Sequence, residues 1–127
     1  MVGLVIVSHS RKLAEGVCDL AKMMAAEVPM AAAGGLEDGG FGTSFERIVE
    51  AVEAVGSDDG VIVLMDMGSA VMTTEMVLEA LEGQKIAMAD CPLVEGAVVA
   101  AVSAAGGMAF EDILSELAKV HEMKKLS

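Results

Sequence analysis

Tryptophan and tyrosine are absent from this chain of 127 residues, and only Phe41, Phe45 and Phe110 carry aromatic rings. A platform that stacks nucleic-acid bases needs more aromatic surface than that. Basic residues are scarce as well: 8 Lys and Arg stand against 20 Asp and Glu, a formal net charge of −12. Phosphate backbones are gripped by clustered cations, so this balance argues against nucleic acid as a partner. The two cysteines, Cys18 and Cys91, lie far apart with no CxxC or CxxH neighbourhood. A disulfide scaffold or structural zinc site is not expected, and both thiols read as small apolar groups in a reducing compartment. The uncharged run from Gly96 to Phe110 is broken by Gly106 and Gly107. It falls short of the roughly 20 residues that cross a bilayer and reads as core. The opening MVGLVIVSHS has neither the basic leader nor the long apolar helix of a secretory signal, so a cytoplasmic protein is expected.

What is present suits one domain, taken as residues 1–127. Hydrophobic residues make up 54% of the chain, enough for a substantial core at this length. Strand-like and helix-like segments alternate. Val2–Ser8 is a short apolar run fit for a strand buried on both faces, and Leu13, Val17, Leu20 and Met24 recur at helical spacing over about 10–26. Val28–Ala33 reads as a second strand, weakened by Pro29 near its start. Thr43-Ser-Phe-Glu46 has the form of a capping box, opening a helix that buries Phe45, Ile48, Val49, Val52 and Val55. A turn at Ser57–Gly60 leads to a third strand, Val61–Met65, and then to a helix over about 69–81 burying Val71, Thr74, Leu78 and Leu81. A strand at about 84–88, a helix at about 94–105 and a last helix burying Phe110, Ile113, Leu114, Leu117 and Val120 complete the chain. The 11 methionines read as core filler, and His121, among Lys119, Glu122, Lys124 and Lys125, as a solvated residue. The predicted class is α/β: a mostly parallel sheet of about four strands with helices on both faces.

Parallel sheets place ligand chemistry at the carboxyl ends of their strands. The first strand ends in Ser8-His9-Ser10, the second runs into the glycine-rich segment Gly34–Gly42, and the third ends in Asp66-Met67-Gly68-Ser69. His9 stands between a buried strand and the positive end of a helix, which favours a nearby anion and disfavours imidazolium. Arg11 and Lys12 occupy the first helical turn, where cations oppose the dipole; an incoming phosphate gives a reason for them. The bland alternative is a histidine that caps the helix or satisfies a loop carbonyl, and position alone does not choose. Asp66 can reach the His9 ring and fix its tautomer, or cap the helix that follows, or both. Ser69 opens a second helix N-terminus suited to phosphate oxygens. The glycine segment is neither a P-loop nor a dinucleotide fingerprint, and it reads as a flexible lip contacting a partner. No Ser/His/Asp triad is defensible, because the chain has no GxSxG elbow.

Taken together, Val5-Ile-Val-Ser-His-Ser10, Leu13-Ala-Glu-Gly16, Gly34-Gly35, Asp38-Gly39, Gly42-Thr-Ser44, Asp66-Met-Gly-Ser-Ala70 and Pro92-Leu-Val-Glu-Gly-Ala97 resemble one family over nearly the whole chain. That family is the dihydroxyacetone kinase phosphotransferase subunits, DhaM, in the mannose-type enzyme IIA group of the phosphoenolpyruvate-dependent sugar phosphotransferase system. The resemblance implies a phosphoryl carrier, a homodimer, that takes phosphate from the phosphocarrier HPr. It passes the phosphate to ADP held by the DhaL subunit, while DhaK binds dihydroxyacetone. By motif match, His9 is the phosphorylated residue and Asp66 its supporting carboxylate, with Ser10, Arg11, Gly39, Gly42, Thr43, Gly68 and Ser69 binding phosphate or partner. No cofactor or metal is implied, and HPr is expected to act in trans. Met67 and Phe41 replace the usual leucine and isoleucine, apolar exchanges that leave the polar chemistry intact. The alternative within the group is an enzyme IIA component serving another sugar system. Outside it stand a receiver-like domain phosphorylated on Asp66, a flavin or nucleotide module, and a small hydrolase. The receiver lacks the acidic pair it needs after strand one, where Ser8-His9 stands, and the flavin module lacks a stacking Trp or Tyr.

Charge adds one further mark. Residues 1–118 hold 5 basic and 19 acidic groups, and Arg11 and Lys12 are two of those five. His9 is thus expected to be a locally positive spot on an acidic domain.

Overall fold

A computed structural model describes residues 1–126. Four strands, β1 (Gly3–Ser8), β2 (Met30–Gly34), β3 (Val61–Met65) and β4 (Ile86–Ala89), form one sheet in the order β2-β1-β3-β4. Every neighbouring pair is parallel. Five helices connect and follow them: α1 (Arg11–Met24), α2 (Phe45–Val55), α3 (Ser69–Ala80), α4 (Leu93–Ala105) and α5 (Phe110–Leu117), with a 3₁₀ turn at Val120–Glu122. The α/β class, the strand count and the parallel sheet agree with expectation. Pro29 stays outside β2, itself an edge strand, where a missing amide costs the ladder nothing.

Strand alternation splits the core in two. Leu4, Ile6, Ile62 and Leu64 face α1, α4 and α5, while Val5, Val7, Val61, Val63 and Met65 face α2 and α3. Both faces are covered, which is why β1 and β3 read as unbroken apolar runs.

Three expectations are corrected. The buried stripe of α1 is Ala14, Val17, Cys18 and Ala21, and Leu13, Leu20 and Met24 are exposed. The reason is close approach. A Cβ on Gly34 of β2 would lie 2.6 Å from the Ser10 carbonyl oxygen and 2.8 Å from Ala14 Cβ, so only small side chains fit beneath α1. In α3 the fully buried residues are Ala70, Thr74 and Val77, with Val71, Leu78 and Leu81 half-buried at the margin. Finally, seven of the 11 methionines (1, 23, 24, 67, 72, 76 and 123) are exposed rather than core filler.

The last helix ends at Leu117, and Val120 reaches the core through the 3₁₀ turn. His121 is exposed, as predicted. No helix of the described residues is long and apolar enough to cross a membrane. Cys18 is buried and Cys91 half-buried, and burial pushes each thiol up to about 11.

Candidate functional site

From β1 the chain turns outward one way, to β2, and from β3 the other way, to β4; the crevice between β1 and β3 is the sheet's topological switch point. In the parallel register Val7 pairs with Met65, so Ser8-His9 and Asp66 leave the sheet side by side. The Asp66 amide continues the ladder by donating to the Val7 carbonyl at 3.1 Å.

Asp66 is the hub. One oxygen, Oδ2, accepts from the buried Ser8 hydroxyl at 2.9 Å and from the His9 amide at 3.0 Å. The other, Oδ1, accepts from the Met67 amide at 2.7 Å and lies 3.0 Å from His9 Nδ1. Burial raises the carboxyl's pKa, but the amides of His9 and Met67 and the side chains of Ser8 and His9 outweigh it, so the net direction is downward. An ionised carboxylate only accepts, so Nδ1 of a neutral ring must carry the proton and donate it to Asp66. Nε2 is left with its lone pair outward, 2.8 Å from the Ser69 hydroxyl. The ring is 30% exposed and the carboxylate 13%, which leaves the nucleophilic edge reachable and its support sheltered.

The Asp66 carboxylate lies within hydrogen-bond reach of the ring but does not cap α3. Gly68 holds that N-cap position with φ +54, a conformation that glycine enters without steric cost, and no side chain caps the helix. Ser69 is the first residue of α3, and the next two amides, of Ala70 and Val71, donate to the Met67 and Gly68 carbonyls at 3.1 and 3.0 Å. The capping-box expectation also shifts by one residue. Ser44, not Thr43, caps α2 by accepting from the Arg47 amide, and it donates its own proton to Glu37 in the glycine segment. Thr43 is thereby released toward the site, with Oγ1 3.3 Å from Ser69 Oγ and 3.0 Å from Thr73 Oγ1.

The Gly42 amide donates to the His9 carbonyl at 3.0 Å and pins the glycine segment to the site. The Ser10 hydroxyl caps α1 through the Leu13 amide, and the Ser10 amide donates to Ser8 Oγ. Arg11 is exposed, and with Ser10, Lys12, Gly39 and Phe41 it lines a shallow cleft of about 350 Å³ beside this rim. Phe41 is 83% exposed at its lip.

Sequence reasoning missed two residues of the network. Ser8 looks like the polar end of an apolar strand, and nothing in its spacing marks it as a ligand of Asp66. Thr73 had a usable signal: it lies four residues after Ser69 and so on the same helical face.

The family model EIIA-man, described as a PTS system fructose IIA component, matches residues 3–114. The phosphoryl donor subunit DhaM of the phosphoenolpyruvate-dependent dihydroxyacetone kinase of Escherichia coli K12 is 40% identical over 98% of the chain. The chain spans only 28% of that relative's length. The phosphotransferase subunit DhaM of the PTS-dependent dihydroxyacetone kinase of Lactococcus lactis is 37% identical, covering 93% of the chain and 94% of the relative. Among solved structures, a phosphotransferase system EIIA component from Streptococcus agalactiae superposes with a TM-score of 0.72. It is 16% identical and covers 96% of this chain and 94% of its own, a likeness of fold.

Proposed function

The chain belongs to the EIIA-man family, and from that premise we propose that it is the phosphoryl donor subunit of a phosphoenolpyruvate-dependent dihydroxyacetone kinase. In this reading residues 1–127 form one domain that accepts a phosphoryl group from HPr on His9. It then passes the group to ADP bound by DhaL, with DhaK presenting dihydroxyacetone. The observation that carries it is the His9 ring itself, with Nδ1 tied to the Asp66 carboxylate at 3.0 Å and Nε2 at an exposed rim, held at 2.8 Å by the Ser69 hydroxyl alone.

The chemistry follows from that arrangement. The Nε2 lone pair attacks the phosphorus of the donor's phosphohistidine, forming one N–P bond as the donor's N–P bond breaks. The donor nitrogen keeps the bonding electron pair. His9 then carries a proton on Nδ1 and phosphorus on Nε2, a cationic ring that the Asp66 carboxylate stabilises. The Ser69 hydroxyl, relieved of its nitrogen acceptor, turns to a phosphoryl oxygen, and the Ser69 amide at the start of α3 supplies a further donor, the Ala70 and Val71 amides being taken by the Met67 and Gly68 carbonyls. In the second step a β-phosphate oxygen of the DhaL-bound ADP forms the new O–P bond as the N–P bond breaks, Nε2 recovers its lone pair, and the ATP so formed stays on DhaL to phosphorylate dihydroxyacetone. Such transfers depend on positioning and charge stabilisation more than on covalent machinery. Arg11 and Lys12 supply local positive charge for the incoming group. The same reading includes a homodimer and a cytoplasmic setting.

Reconstitution with labelled phosphoenolpyruvate, enzyme I and HPr, with and without DhaK and DhaL, tests it. Wild-type protein takes up label that acid releases and alkali does not, and His9→Gln takes up none. Label retained by His9→Gln overturns the assignment, and alkali-labile label points to an acyl phosphate on Asp66. A second reading has one observation in its favour: the family description names a fructose component, so the final acceptor can belong to another sugar system. Label that leaves His9 only when a sugar-specific acceptor replaces DhaL with ADP selects that reading.

A further inference from the structure

We propose that Thr43, held by Thr73, is a positioning residue that keeps the Ser69 hydroxyl aimed at His9 Nε2; this rests on reading His9 as the phosphoryl acceptor. The three hydroxyls and the ring form one chain: Nε2 to Ser69 Oγ 2.8 Å, Ser69 to Thr43 3.3 Å, and Thr43 to Thr73 3.0 Å.

Its proton order is fixed from one end. The Asp66 carboxylate takes the Nδ1 proton, so Nε2 accepts, and Ser69 must spend its single proton on Nε2. Any further partner of Ser69 must then donate to it. Thr43 is the other partner within reach, so its proton points to Ser69, and its own oxygen accepts from Thr73.

Ser69 on its own is a rotor with three staggered wells at an exposed helix start. A donor on its lone pair biases it toward the well that serves the ring. Thr74 shows what Thr73 forgoes: Thr74 returns its hydroxyl to the Ala70 carbonyl at 2.7 Å, whereas Thr73 reaches across to Thr43. Thr43 is free to take part because Ser44 caps α2 in its place. The Ser69–Thr43 separation is longer than an ordinary hydroxyl bond, so the effect is orientational and moderate.

The test uses the whole chain labelled with ¹⁵N, at a pH where imidazoles are neutral, with His121 as internal reference. Thr43→Val moves the His9 Nε2 resonance toward that of an unbonded nitrogen and, because the Ser69 hydroxyl is then no longer poised to pass from Nε2 to the incoming phosphoryl oxygen, slows phosphoryl uptake from phosphorylated HPr about three- to tenfold. Thr43→Ser restores both, and Thr73→Val falls between. Should Thr43→Val fail to fold, Thr73→Val alone decides. A wild-type Nε2 resonance in the folded variants, or a moved resonance with an unchanged rate, overturns the proposal. The nitrogen resonance is read without any partner, so it stands apart from the uptake assay on His9→Gln that tests the acceptor itself.

Discussion

Asp66→Asn is the sharpest perturbation available, because each carboxylate oxygen serves two donors. The asparagine amide keeps one oxygen and puts an NH₂ where the other was, and an NH₂ cannot accept. Placed at the Oδ2 position, it faces the Ser8 hydroxyl and the His9 amide. Placed at Oδ1, it faces the Met67 amide and pushes the His9 proton from Nδ1 to Nε2, which removes the nucleophilic lone pair. A bond to a charged acceptor contributes about 1.5–3 kcal/mol, and burying a neutral amide in place of a charge offsets part of the loss. A net destabilisation of about 2–4 kcal/mol is expected, near 10 °C in Tm for a domain of this size. Phosphoryl uptake should fall by about 10²–10⁴, the range for losing the group that orients a catalytic imidazole. Acid behaviour gives a second readout. The folded state holds the Asp66 carboxyl below its ordinary value, so it binds that proton less readily than the unfolded chain. Its stabilisation is therefore complete above the unfolded carboxyl value, about 3.9, and is lost as pH falls through the folded one. The variant should lack that component of acid destabilisation. Thermal melts across pH and rapid-quench phosphorylation by phosphorylated HPr measure all three. A variant that melts within about 2 °C of wild type and is phosphorylated within about threefold of its rate would refute the hub role of Asp66.

Other expectations follow from the same contacts. Gly34→Ala drives a Cβ to within 2.7 Å of Arg11 Cα as well as the Ser10 carbonyl, so a loss of about 2–3 kcal/mol is expected in denaturant titration. Gly16→Ala, with nothing within 4 Å of its Cβ, should instead stabilise α1 by about 0.5–1 kcal/mol. Ser44→Ala removes the cap of α2 and should cost about 1 kcal/mol, while Thr43→Ala stays within about 0.5 kcal/mol; the reverse order would restore the capping box. Burial holds the Cys18 and Cys91 thiols near 11. An alkylating reagent at pH 8 should therefore label both slowly in the native protein and rapidly once it is unfolded.

The backbone plan was legible in the sequence because the signals that carry it are local. Val2–Ser8 and Val61–Met65 announce strands by β-branched apolar runs, and Gly106-Gly107 closes a helix by conformational preference alone. His9 and Asp66 were found because the rule for parallel sheets concerns strand ends, which the sequence marks. Lateral placement was not legible. Nothing local says that β3 pairs with β1, yet that pairing brings the Asp66 carboxylate to the His9 ring. The buried stripe of α1 was misread because Leu13 and Leu20 are more hydrophobic than Ala14 and Ala21. Hydrophobicity ranks residues by transfer from water, whereas the narrow gap over Gly34 selects by volume. The Thr43–Ser69–Thr73 chain was invisible for a related reason. Its members sit 26 and 30 residues apart across α2 and β3, and a hydroxyl's partner is chosen by three-dimensional distance alone. The sequence by itself determined which groups bring chemistry to the rim. Only the tertiary structure decided which of them touch, because hydrogen bonds act over about 3 Å and the sheet's neighbour order sets who comes that close.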